Sequence, residues 1–286
     1  MKPNYPQLAQ RLFNTPLAIT PGKIEIIMAA MADRFGLAKV FRMDGSSVSM
    51  DGYDMREQAS STPYQVINGV ALIPVHGTLV QKRGTMQPYS GMTGYDGLRA
   101  NLSMALEDEQ VKAIAFDIDS PGGEVAGCFD FADAIYRSRG IKPMWSILSE
   151  SAYSAAYAIA SATDRICVPR TGGVGSVGVI CAHIDMSKAL DKEGMTVTVI
   201  HYGEHKADGS EYKPLSSGAL SRFQKDVDAM GDLFVKTVAR NRGLSFEQVK
   251  NTEASTFMGA DGVRVGFADD VMSPDEAFTT LLNQLG

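Results

Sequence analysis

What these 286 residues lack narrows the possibilities first. There are three cysteines, Cys128, Cys167 and Cys181, scattered without metal-ligand spacing. So sparse and odd a set excludes a disulfide framework and points to a reducing compartment. Each cysteine reads better as a buried packing residue than as a nucleophile. A long apolar run is also missing. The stretch 24–31 is apolar but short, and Lys23, Glu25, Asp33 and Arg34 flank or interrupt it. It is neither a signal peptide nor a membrane span, so a cytoplasmic protein is expected. Basic charge is not in excess. With 27 Lys and Arg against 33 Asp and Glu, the net charge is −6, which argues against nucleic acid as the main partner. What remains is a composition of 44% hydrophobic and 21% charged residues, that of a globular chain long enough to bury a sizeable core.

Two regions separate by composition. Residues 1–62 read as an N-terminal arm and linker. Short amphipathic helices are expected over 8–13 and 24–35, on either side of Pro16 and Pro21, followed by a Ser-, Gly-, Asp- and Met-rich stretch at 44–62. Residues 63–286 read as the main domain. Its first signal is a hairpin over 66–75 turning at Asn68-Gly69. A Gly-rich segment at 76–97 reads as a lid or substrate-facing loop. Helical spacing follows over 98–109 and a buried strand over 111–118. The pattern continues with a helix at 125–137, a strand at 143–148, a helix beginning near Ser154, and strands at 165–168, 177–181 and 196–202. A helix falls at 184–193, before the last of these strands. Strands alternating with helices predict βαβ units and a mostly parallel α/β sheet. A long amphipathic helix over 220–240 is marked by Phe223, Val227, Met230, Phe234 and Val238. Capping-box spacings at Ser245/Gln248 and Ser273/Glu276 open two further helices.

The chemistry gathers at strand ends. In the first place, 119–123 reads Asp-Ser-Pro-Gly-Gly directly after a buried strand. Two glycines past a proline allow a tight turn that leaves a backbone N–H pointing into a site. In the second, Ser154 lies where a strand breaks into a helix rich in alanine. Unpaired N–H groups and the helix dipole favour negative charge there, so a serine could act as a nucleophile beside an oxyanion site. The plainer reading of Ser154 is a helix N-cap. The third place is 171–178, which ends Gly-Ser-Val-Gly. In a parallel sheet the first two junctions fall at the carboxyl ends of strands, where α/β sheets bind ligands.

The combination resembles the signal peptide peptidase A family of serine proteases over residues 66–271. It rests on DSPGG at 119–123, SAYSAAYAIA at 151–160, GSVGVI at 175–180 and GADGVRVGFADDV at 259–271. The resemblance implies a Clp-protease/crotonase-like βαβ superhelix. It also implies a Ser/Lys dyad in which Ser154 is the nucleophile, Lys206 the base and Ser176 the group that holds the lysine. Backbone N–H groups of Gly123 and Ala155 would stabilise the oxyanion. One position departs from the family pattern: Ala155-Ala156-Tyr157 stands where members often carry Gly-Gly-Tyr. On residue type alone Lys206 is a solvated loop lysine, with Lys188, Lys192 and Lys213 as competitors. The resemblance further implies no cofactor, no metal, a polypeptide substrate and a ring-shaped homo-oligomer. Without a membrane anchor, the chain looks like the phage and prophage branch, whose substrates are scaffolding or capsid proteins.

Four rivals stand beside this reading. A Ser/His pair could draw on His76, His183, His201 or His205. Gly173 to Gly178 satisfies G-x-G-x-x-G, but Pro169 precedes it and an apolar run follows where a dinucleotide fold needs a helix. A crotonase-type acyl-CoA enzyme would share the fold and use a carboxylate such as Glu124 or Glu150. An inactive assembly or scaffolding subunit would keep the fold without the chemistry.

Overall fold

The structure, a computed structural model, describes residues 13–24, 27, 63–88 and 91–286. In chain order its strands are β1 (Leu17–Ile19), β2 (Gln65–Ile67), β3 (Val70–His76), β4 (Thr78–Val80), β5 (Met92–Gly94), β6 (Ala113–Ser120), β7 (Gly122–Glu124), β8 (Met144–Tyr153), β9 (Arg165–Val168), β10 (Gly173–Gly175), β11 (Thr256–Met258) and β12 (Asp270–Val271). Its helices are α1 (Tyr95–Glu107), α2 (Cys128–Arg137), α3 (Ala155–Ser161), α4 (Ser187–Lys192), α5 (Ser217–Arg242), α6 (Phe246–Lys250), α7 (Ala260–Arg264) and α8 (Pro274–Leu285).

The larger sheet runs β11-β10-β8-β6-β3-β2, with β9 on β8 and β12 on β9. Its middle is parallel: β3 with β6, β6 with β8, and β8 with both β9 and β10. The expected mostly parallel α/β sheet is therefore present. The hairpin forms at Asn68-Gly69, whose positive φ values (+50° and +84°) suit a two-residue turn of the primed kind. Alternate residues of β6 serve opposite faces. Ile114, Phe116 and Ile118 enter the main core with Leu148, Phe131 of α2 and Phe234 and Val238 of α5. Ala113 and Ala115 join Trp145 and Ile147 beneath Ala277 and Leu281 of α8. Both capping positions hold: Ser245 and Gln248 cap each other, and the Ser273 side chain accepts from the Glu276 N–H.

Three expectations change. The segment 76–97 is not one loop, because β4 and β5 form within it and pair in parallel. The strand expected at 177–181 is replaced by β10 upstream, where a glycine-rich backbone fits between β8 and β11. No strand forms over 196–202. Its alternating residues satisfy a strand pattern, yet Ile200 and Tyr202 stand exposed, and among the described residues no strand pairs with them. The arm helix expected over 8–13 lies outside the described residues, as does most of 24–35. Between Pro16 and Pro21 lies strand β1, one edge of a smaller sheet ordered β1-β7-β4-β5.

Candidate active site

Ser154 caps α3 at the end of β8 and is almost fully buried. Its backbone is at φ +56°, ψ −120°, a conformation an L-residue rarely adopts and one that neighbours must impose. Here they do. The Ser154 N–H donates to the Gly175 carbonyl at 2.8 Å, and its own carbonyl accepts from Ala158 at 3.0 Å to open the helix. The side-chain Oγ lies 3.5 Å from the Gly178 carbonyl. Ala155, the next residue, begins the helix, where first-turn N–H groups have no acceptor inside the helix. Every residue of α3 is buried, so the alanines of this helix meet a packing demand. Tyr157 fixes its roll, donating to the Phe267 carbonyl at 3.0 Å and stacking on that ring at 4.9 Å.

The DSPGG turn is built against this junction. Ser120 Oγ donates to the Gly77 carbonyl (2.6 Å) and accepts from the Gly122 N–H (3.2 Å), which folds the turn back on itself. Gly122 sits at φ +99°, and a Cβ there would overlap the Ala18 carbonyl and come within 2.9 Å of Ser154 Cβ. At Gly123 a Cβ would overlap the backbone of Leu79 in β4. Only glycine lets this backbone lie between the serine and the neighbouring strands.

Ser176 follows β10 with φ +57° and is buried. Because Gly175 pairs with Tyr153, Ser176 is carried to the level of Ser154. Its N–H donates to the Ser255 carbonyl at 2.9 Å. The structure thus brings together Ser154, Ala155, Gly122, Gly123 and Ser176. Lys206 differs from these buried residues. It is exposed, and among the described residues it makes no side-chain hydrogen bond or ion pair. Its loop is tethered close by: Asp208 pairs with Arg222, and the Gly209 carbonyl accepts from Asn14 Nδ2 at 2.9 Å. Lys188, Lys192 and Lys213 are exposed too.

The rivals find less support. Each histidine is engaged elsewhere: His76 with Asp117 (3.0 Å), His183 with Asn14 (3.1 Å), His201 with the Gly203 carbonyl (2.9 Å) and His205 with Asp208 (3.5 Å). Glu124 accepts from the Gln81 N–H at 2.7 Å, and Glu150 is exposed. No helix opens after Gly173 to Gly178 before α4 among the described residues. Burial pushes the Cys128 and Cys167 thiols up to about 12, so both stay protonated and unreactive at neutral pH. No group of metal-binding side chains occurs among the described residues.

Two features escape a reading of the sequence. One is β1, which lies directly over Gly122 and Gly123. Its sequence sign is slight: an apolar Leu-Ala-Ile between two prolines, which favour extended neighbours. The other is a trio on β3, β6 and β8 beside the DSPGG turn. His76 and Ser149 both bond the Asp117 carboxylate, and they border a cavity of about 420 Å³ with Lys23, Asp119 and Pro121.

Comparison with known proteins gives the chain a family. The model of peptidase family S49 matches residues 137–286, which include Ser154, Ser176 and Lys206. The chain is 37% identical over 293 residues to the head-tail preconnector protein GP5 of Enterobacteria phage P21, covering 100% of this chain and 58% of that protein. It is also 37% identical over 292 residues to capsid assembly protease C of Escherichia phage lambda, covering 99% and 66%. The chain therefore spans less than two thirds of the length of these two relatives. Among solved structures, a ClpP1 mutant from Listeria monocytogenes follows a similar path, with a TM-score of 0.44 and 12% identity over 70% of this chain and 90% of that one.

Proposed function

This chain belongs to peptidase family S49, and we propose that it is a serine endopeptidase working through a Ser154/Lys206 dyad. The observation that carries the reading is Ser154 itself, held at positive φ on a strand-to-helix junction against the Gly122-Gly123 turn. In the mechanism, Ser154 Oγ attacks a peptide carbonyl and neutral Lys206 takes its proton. The developing oxyanion is met by the N–H groups of Gly123 and Ala155, a contribution of several kcal/mol in enzymes built this way. Lys206 then protonates the leaving amine, and water releases the acyl group from Ser154.

A lysine serves as base only when burial or nearby cations keep it neutral. Lys206 is exposed in the single chain, so the reading requires a cover. Met195, Val197, Val199, Ile200 and Tyr202 form an exposed apolar row just before it, the kind of surface that associates. A homo-oligomer that buries this row, in keeping with a ring, would also dry the Lys206 loop. The two phage relatives are named for head assembly, which favours capsid or scaffolding protein as substrate and the cytoplasm or procapsid as the place of action.

The test is proteolysis by the purified full chain and its Ser154→Ala and Lys206→Ala variants, with folding checked by thermal melting. Each variant should lose at least about 1,000-fold in rate and keep its melting temperature within about 2 °C. Retention of activity by Ser154→Ala would sink the assignment.

A further inference from the structure

The described part of the N-terminal region lies in the candidate site as a peptide would. β1 runs antiparallel to β7, with Leu17 opposite Glu124, Ala18 opposite Gly123 and Ile19 opposite Gly122. On its other side Leu17 pairs with Ile180, exchanging both backbone hydrogen bonds at 2.8 and 2.9 Å. Upstream, the Asn14 N–H donates to the Ala182 carbonyl at 2.9 Å. This segment is thus a strand added between the DSPGG turn and the chain that leaves Ser176.

The register decides what faces the serine. The Thr20 N–H donates to the Pro121 carbonyl at 3.0 Å, and antiparallel rungs alternate. The next rung therefore joins the Gly123 N–H to the Ala18 carbonyl. That N–H is the group assigned to the oxyanion, so the acyl oxygen it holds here belongs to Ala18. The same carbonyl and Ser154 Cβ both crowd the space over Gly122. Side chains alternate accordingly. Ala18 is fully buried in the main core, whereas Leu17 and Ile19 pack in a separate cluster with Phe13, Ile24, Ile27 and Ile180. A methyl group fills the side facing the core.

We propose that the groove between β7 and residues 180–182 is the substrate channel, that it takes an extended peptide with an alanine-sized residue opposite Ser154, and that β1 is its built-in occupant. The inference deepens the peptidase reading and rests on its placement of the site. A substrate must then displace β1, and the Ala18–Ile19 bond is the one presented to Ser154. Backbone pairing gives the channel tolerance of sequence, and the closed space at Ala18 gives it selectivity.

The test locks β1 in place. Leu17 and Ile180 form a hydrogen-bonded antiparallel pair, whose Cα separation of about 5.5 Å suits a disulfide. Leu17→Cys with Ile180→Cys, in a Cys181→Ser background, is compared oxidised and reduced as the full chain. Oxidation should lower proteolysis at least tenfold, and reduction should restore it. A second measurement is independent of catalysis. In the same chain carrying Ser154→Ala, a fluorescent peptide with the sequence of residues 14–21 should bind the reduced form and bind the oxidised form at least tenfold more weakly. Its counterpart with tryptophan in the alanine position should also bind at least tenfold more weakly. Equal binding to the oxidised and reduced forms, or no binding to the reduced form, overturns the proposal. Cleavage that survives Ser154→Ala overturns the peptidase assignment, and the binding result still decides the channel.

Discussion

The serine side and the lysine side of the candidate site are made in opposite ways. On the serine side, β7, Ala152, Ser154 and α3 are buried, and steric contact fixes the backbone at Gly122 and Gly123. On the lysine side, residues 193–206 are exposed throughout and α4 contributes no buried residue. Only Ala207 and Gly209 anchor the following loop in packed surroundings. The contrast teaches which half of the chemistry one chain can complete. A nucleophile and its oxyanion donors need only a sheet and a helix N-terminus. A neutral lysine needs dryness, and the single chain does not provide it.

The sharpest way to break the serine side is Gly123→Ala. Its Cβ would overlap the Leu79 backbone, so β7 must move away from β4 and take the N–H proposed for the oxyanion with it. Loss of one such donor costs about 100- to 1,000-fold in kcat, and displacement of the strand should cost at least as much. The expected outcome is a rate lowered by about 100-fold or more, together with a lower melting temperature. Near-normal kcat would mean that the Gly123 N–H is not a donor in the reaction.

The lysine side is tested by Ile200→Asp. Ile200 is 94% exposed, so a charge there should leave single-chain stability within about 0.5 kcal/mol. If association covers this row, burying the carboxylate is costly and the particle mass measured by light scattering should fall. Proteolysis should fall by about tenfold or more with it, because the Lys206 loop would return to water. Unchanged mass and activity would remove the proposed cover and leave Lys206 without a reason to be neutral.

The same contrast explains what could be read from the sequence. The serine side was legible because its residues are local consequences of packing. DSPGG follows a buried strand, small residues mark α3, and Asn68-Gly69 marks a hairpin. The strand pattern at 196–202 misled because alternation reports a capacity to pair, while pairing requires an available edge. β1 escaped notice for the converse reason. Three residues are too few for a period to register, and their partners lie about a hundred and more positions away, at Gly122–Glu124 and Ile180. The association of Lys206 with Ser154 came from family resemblance, since a lysine between His205 and Ala207 in a polar loop carries no local sign of a base.

The smallest effect expected separates pH-dependent folding from pH-dependent chemistry. The hydrogen bond to Asp117 raises the pKa of His76, with burial opposing. Burial alone would raise the pKa of Asp117, but hydrogen bonds from His76 and Ser149 outweigh it and leave it lowered. The histidine's contribution to stability is therefore complete below its ordinary value near 6.5 and fades as pH rises through its higher folded value. The aspartate's contribution is complete above about 4 and fades as pH falls through its lower folded value. Together they are greatest at about pH 5, and the histidine's 42% exposure keeps the sum below about 1 kcal/mol. His76→Gln should lower the melting temperature by about 1–2 °C at pH 5 and hardly at all at pH 9. Its pH–rate profile should match that of the unchanged chain, because the proposed base is Lys206 and not His76. A His76→Gln enzyme with an altered pH–rate profile would move the base from the exposed loop to the His76–Asp117 pair and reverse the contrast between the two sides.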